Sequence, residues 1–134
     1  MIYGIGIDII EVERVQKQLG KHSFKEKIFT PVEIQYCSTK KNDAESFAAR
    51  FAAKEAFFKA IGTGWRGGFS FNQIQIDKDS LGKPEITLLG KLKDFALQND
   101  LNQIHLSMTH LKSYAAAVVV IETLSQIKLE NNKE

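Results

Sequence analysis

The stretch from Arg50 to Gly64, RFAAKEAFFKAIGTG, decides how the rest of the chain is read. At 100° per residue, Phe47, Phe51, Phe58 and Ile61 fall on one arc of a helix that starts near Asn42. Ala49, Ala53, Ala56 and Ala60 fall roughly opposite. Apolar or small residues on both sides predict a buried helix whose alanines let a neighbouring backbone come close. Between the arcs stand Glu55 and Lys59, one turn apart. As a solvated pair they would add only about 0.2–0.5 kcal/mol to the helix, but the polar stripe is narrow. Flanked by Phe51 on one side and by Ala52 and Ala56 on the other, Glu55 is expected at the mouth of a crevice. A carboxylate there needs a cation, either Lys59 or a metal. Gly62 suits the helix stop, and the glycine-rich run that follows, GTGWRGG, can bring backbone amides against phosphate oxygens. It reads equally well as a stop and a flexible turn.

Working outward to the amino terminus, residues 2–10 (IYGIGIDII) alternate as a strand. Ile5, Ile7 and Ile9 share one greasy face, and Gly4, Gly6 and Asp8 share the other. Two glycines inside a strand mark a place where a ligand or another backbone approaches. Asp8 follows them on the bared face; alone it would serve as readily as a turn or helix cap. Glu11 to Leu19 supports a short helix stopped by Gly20. Lys21, His22, Phe24, Lys25 and Lys27 form a basic patch with an aromatic, either solvated surface or a docking site for an acidic protein. Thr30, Pro31 and Glu33 have the spacing of a helix start, as N-cap, N1 and N3.

Toward the carboxyl terminus, Phe69 to Ile76 alternates as a strand, Asp77 to Gly82 has turn chemistry, and EITLL after Lys83-Pro84 is extended. Residues 90–101 carry apolar residues at near-helical spacing. IHLSMTH and YAAAVVVIE form a hairpin, the second an apolar central strand. Ile104, Leu106 and Met108 face one way; His105, Ser107 and Thr109 face the other, a polar row suited to phosphate or an amide-rich arm. His105 and His110 lie on opposite faces, which argues against a shared metal. Residues 1–122 are read as a single domain and 123–134 as a polar, frayed tail.

The bulk properties narrow the classes. With 134 residues, 43% of them hydrophobic and 25% charged, the chain is long enough for one real core. A net charge of +2 is too small to argue for nucleic acid or a membrane surface. The lone Cys37 provides neither an internal disulfide nor a zinc framework. No apolar run is long enough for a membrane helix, and the start lacks a signal-peptide pattern, so a cytoplasmic protein is expected.

Two lone carboxylates, Asp8 and Glu55, suit a hard cation such as Mg²⁺, which takes one or two carboxylates with waters and phosphates. The glycine loop, Arg50, Lys59 and Lys83 would add positive potential for a diphosphate. These features point to phosphoryl-type transfer.

GIGIDIIEVERV, FAAKEAFFKAIGTG, LGKPEI and IHLSMTHLKSYAAAVVVIE stand in an order and spacing that resembles the holo-[acyl-carrier-protein] synthases, a 4′-phosphopantetheinyl transferase family. The resemblance spans Met1 to Glu122; KHSFKEKIFTPVE and WRGGFSFNQ match only loosely. It implies an α+β fold with an antiparallel sheet packed on the long central helix. It also implies transfer of the 4′-phosphopantetheine arm of coenzyme A to a serine of apo acyl carrier protein, with release of adenosine 3′,5′-bisphosphate. Asp8 and Glu55 match the family's metal ligands, and Lys59 matches the lysine beside the diphosphate. Glu55, directly or through a bound water, is the candidate to accept the serine proton. By similarity Arg50, Phe51, Gly62, Thr63, Gly64, Lys83, Pro84, His105, Ser107 and Thr109 line the coenzyme A cleft. Arg14, Lys21, Phe24 and Lys25 meet the acidic carrier protein. Short members of the family are homotrimers with the cleft between subunits. Two rivals are weighed: a metal-dependent nucleotide pyrophosphatase with the same need for Mg²⁺ and phosphate-binding groups but transferring to water, and a non-enzymatic module holding an acidic protein or RNA through the basic patch at residues 21–27, independent of Asp8 and Glu55.

Overall fold

The computed structural model describes residues 1–124, the side chains of Trp65 and Arg66 excepted. Strand β1 (Ile2–Glu11) is followed by three short helices, α1 (Val12–Leu19), α2 (Phe24–Ile28) and α3 (Pro31–Ser38), and then by the long α4 (Asp43–Ile61). Beyond two 3-10 turns, Gly64–Gly67 and Phe71–Gln73, come β2 (Ile74–Lys78), β3 (Pro84–Leu88), α5 (Gly90–Gln98), β4 (Leu101–His110) and β5 (Tyr114–Thr123). An antiparallel sheet in the order β1-β5-β4 lies against α4, and β2-β3 form a separate hairpin. The α+β architecture expected from the sequence is therefore the one observed. The polar tail beyond Leu124 lies outside the described residues.

The close approach of α4 to β1 is what the two glycines make possible. A Cβ on Gly4 would stand 1.8 Å from the carbonyl oxygen of Ala60, and one on Gly6 would stand 1.9 Å from that of Ala56. The alanine arc thus meets the glycine face with backbone against backbone. Around this contact Ala52, Ala53, Ala56, Phe57, Ala117, Val119 and Ile121 are buried in one core cluster. A second cluster, with Phe29, Cys37 and Phe47, joins α1, α3 and the first half of α4.

This choice of face has a cost. With α4 on the glycine side, the isoleucine side of β1 points outward, and Ile5, Ile7 and Ile9 are 65%, 69% and 68% exposed. Opposite them in register lie Val120, Val118 and Ala116, and beyond those His105, Ser107 and Thr109. The greasy face of β1 is thus the outer face of the sheet.

One local expectation is corrected, and one patch gains a structure the sequence reading did not assign. Phe69–Ile76 is a strand only from Ile74, because Ser70 and Gln73 close a 3-10 turn. Gln73 N–H donates to Ser70 O at 3.1 Å, and Ser70 N–H donates to Gln73 Oε1 at 3.2 Å. The basic patch contains the five-residue helix α2, entered through Ser23 at φ 74°. The Thr30–Glu33 capping box forms as the spacing predicts. Among the described residues no helix is long and apolar enough to cross a membrane.

Candidate active site

Asp8 reaches the site because Gly4 and Gly6 let β1 lie on α4; one strand repeat later its carboxylate emerges beside the helix. Glu55 comes from α4, one turn after Phe51. The two carboxylates line one cavity of about 460 Å³ with Ile9, Ile10, Arg14, Val15, Gln18, Phe24 and Phe51. Lys59 Nζ donates to Asp8 Oδ1 and to the Ile7 carbonyl, both at 3.0 Å. The cation one turn from Glu55 is thus hydrogen-bonded to the other carboxylate.

The electrostatics follow from this arrangement. Burial raises the Glu55 pKa, the Asp8 charge raises it further, and Lys59 opposes both. Lys59 is bonded to Asp8, and the Asp8 charge still raises the Glu55 pKa, a repulsion between the two carboxylates that a cation held between them would relieve. No group of three or more His, Cys, Asp or Glu converges among the described residues. A pair of carboxylates is nonetheless the donor set that a magnesium ion takes when waters and phosphates complete its shell.

The other expected residues fall into distinct places. Phe51, Phe24 and Arg14 are in the Asp8 cavity, while Lys21 and Lys25 line a separate groove of about 290 Å³ with His22 and Ser23. Lys83, Pro84, His105 and Ser107 line a cavity of about 410 Å³ on the outer face of the sheet. Thr109 lines a smaller recess beside Ser107 and Ile7. His105 Nε2 lies 2.8 Å from Glu122 Oε2, so this histidine already has a carboxylate partner. Gly62 (φ 82°), Thr63 and Gly64 (φ 57°) follow the last turn of α4, just past Lys59. Arg50 stands apart from both cavities. It is 4% exposed, its guanidinium sits 4.5 Å from the centre of the Tyr36 ring, and Nη1 donates to Ser46 O.

One pair was not anticipated. Lys54 and Glu33 are both completely buried and bonded to each other, Nζ to Oε1, at 2.7 Å. Lys54 sits on the buried arc between Ala53 and Phe57, and a lysine there requires a buried acceptor. That requirement was the available signal; Glu33 read only as a cap.

The model of the ACPS 4′-phosphopantetheinyl transferase superfamily matches residues 4–119. A holo-[acyl-carrier-protein] synthase of Geotalea daltonii is 47% identical over 124 residues, covering 91% of this chain and 99% of its own. The crystal structure of the Neisseria meningitidis synthase superposes with a TM-score of 0.84 at 38% identity, over 92% of this chain and all of that one. The Bacillus anthracis synthase, solved in complex with CoA (3′,5′-ADP), gives a TM-score of 0.77 at 40% identity, over 92% of this chain and 98% of its own. Matching in motif order, in sequence over nearly its full length and in fold, the chain belongs to the 4′-phosphopantetheinyl transferase superfamily, among the holo-[acyl-carrier-protein] synthases.

Proposed function

We infer that this protein transfers the 4′-phosphopantetheine arm of coenzyme A to a serine of an apo acyl carrier protein and releases adenosine 3′,5′-bisphosphate. The observation that carries the reading is the meeting of Asp8 and Glu55 at one cavity, with Lys59 bonded to Asp8, in a chain of this family.

Asp8 and Glu55 are the residues that would hold Mg²⁺. When bound, the ion would neutralise diphosphate charge. Lys59, with its ammonium already turned toward the site, steadies negative charge on the transferred phosphate or on the departing bisphosphate. The serine oxygen forms a bond to the pantetheine-side phosphorus as the bond to the bridging oxygen breaks, and the bridging oxygen leaves with the adenosine moiety. Glu55, whose proton affinity is raised by burial and by Asp8, is suited to take the serine proton.

A homotrimer accounts for two features together. The exposed isoleucine row of β1 is the kind of apolar face that a neighbour covers. The Lys83–His105 cavity and the Asp8–Glu55 cavity are separate within one chain, and a long substrate would join them across a subunit boundary. The carrier protein would dock on α1, α2 and the turn between them through Arg14, Lys21, Phe24 and Lys25, and the enzyme would work in the cytoplasm. The test is the intact mass of apo acyl carrier protein after incubation with this protein, coenzyme A and Mg²⁺, beside a chelated control. A metal-dependent gain of one phosphopantetheine is expected. Cleavage of coenzyme A with an unmodified carrier would replace the transferase by a hydrolase.

A further inference from the structure

Lys54 spends all three of its ammonium protons inside the protein. Nζ donates to Glu33 Oε1 at 2.7 Å, to the Phe71 carbonyl at 3.0 Å and to the Ile74 carbonyl. Glu33 is equally committed: Oε1 also accepts from Thr30 N–H at 2.9 Å, and Oε2 accepts from Ile76 N–H at 3.2 Å. One buried ion pair therefore ties α3, α4, the Phe71–Gln73 turn and the start of β2 to a single point.

The turn that Lys54 grips supports the cavity wall. The Phe71 ring stacks on Phe51 with centroids 5.6 Å apart and planes at 22°, and meets Phe58 edge-on at 5.2 Å. Phe51 in turn lies 6.4 Å from Phe24, and both line the cavity that holds Asp8 and Glu55. From the same turn Asn72 Nδ2 donates to the Glu26 carbonyl of α2 at 3.5 Å. Helix α2 has five residues, none of them fully buried, so its position is set by what it rests on.

We propose that the buried Lys54–Glu33 pair is a positioning device for carrier-protein recognition: it holds the Phe71–Gln73 turn, and through it α2 and the Phe24–Phe51 wall, in the arrangement that accepts the carrier. This rests on the transferase reading above. Lys54 does not face the reacting atoms; it acts through Phe71.

The test separates positioning from mere stability. Lys54→Met leaves Glu33 buried without its cation and is expected to lower the melting temperature. Adding Glu33→Gln removes the orphaned charge and is expected to recover part of that loss, because neutral groups cost less to bury than one unpaired ion. The carbonyls of Phe71 and Ile74 remain ungripped in both. Assayed well below its melting temperature, the double variant is expected to show a KM for apo acyl carrier protein raised about five- to tenfold, with distinctly smaller changes in kcat and in the KM for coenzyme A, whose cleft Phe51 borders. Phe71→Leu, which keeps the ion pair and removes the stacking ring, is expected to give the same split and serves if the double variant does not fold. A wild-type KM for the carrier in the folded variants would overturn the proposal. So would equal changes in kcat and both KM values, which would place Lys54 on the side of Glu55 instead. Wild-type enzyme assayed alongside keeps the two readings apart: no transfer by wild type would remove the function, whereas transfer with an unmoved KM in the variants would remove only the positioning role.

Discussion

Gly6 of β1 lies directly against Ala56 of α4, so close that a methyl group on Gly6 would stand 1.9 Å from the Ala56 carbonyl oxygen and 2.8 Å from the Ala60 nitrogen. Neither neighbour is a side chain that can swing aside. Gly6→Ala must push the strand off the helix, and with it Asp8, two residues along. The expected cost is about 3 kcal/mol or more, at the severe end for a point change, together with loss of transfer. Urea unfolding measures the first. Gly20→Ala, at a negative φ with only Lys17 O at 3.5 Å nearby, is the control and should fall within about 0.5 kcal/mol of wild type.

Lys59, bonded to Asp8 and the Ile7 carbonyl, is 55% exposed in its side chain, so its removal should cost the fold little. Lys59→Ala is expected to reduce transfer by about 10²–10³, the loss typical of removing one preorganised stabiliser of developing charge. Asp8→Ala and Glu55→Ala are expected to lower it at least as far. Carrier-protein mass and circular dichroism are the paired measurements; near-wild-type transfer by folded Glu55→Ala would sink the site assignment.

Stability should carry a signature of Glu55. Its pKa is raised in the folded protein, so the folded state binds this proton more tightly than the unfolded chain does. The resulting stabilisation is complete below the ordinary carboxylate pKa and is lost as pH rises through the raised value, above which an ionised Glu55 faces Asp8. Glu55→Gln should therefore raise the melting temperature at pH 7–8 relative to wild type in chelator, and the difference should shrink on acidification to about pH 4. A constant difference at all pH values would contradict the electrostatic account.

The outward isoleucines make the assembly testable. Ile7→Lys puts a charge in the middle of the exposed β1 row, where it is harmless to a monomer and costly under a neighbour. Light scattering after size exclusion should show a trimer for wild type and smaller species for the variant, with transfer falling in step. A wild-type monomer that is fully active would end the trimer proposal.

Cys37 is fully buried, and burial pushes its thiol up to about 11. It should resist alkylation by iodoacetamide at pH 8 in the native protein and react only after unfolding. Mass spectrometry before and after denaturant is sufficient.

Much of this was legible in the residues. The alternation in IYGIGIDII, the alanine arc of α4 and the Thr30–Glu33 cap are local periodicities, and local geometry turns them into elements whatever the rest of the chain does. That something would approach the glycine face closely could also be read, whereas whether it was a ligand or another backbone could not. Which face of β1 would meet the core could not be read from that strand alone. Isoleucines ordinarily go inside, and only the packing of α4 on Gly4 and Gly6 turned them outward.

The same limit explains the site. The sequence alone determined the types of group available, namely two isolated carboxylates, a lysine one helical turn from one of them, and a glycine loop after the helix. Tertiary structure decided their pairing. Asp8 and Lys59 are separated by 51 residues and meet only because strand and helix touch; Arg50 was drawn to Tyr36 and Ser46, and Lys54 to Glu33 across 21 residues. Element formation depends on neighbours along the chain, whereas the partner of a charge depends on which surfaces fold together, and that long-range choice is set by how closely two backbones can pack.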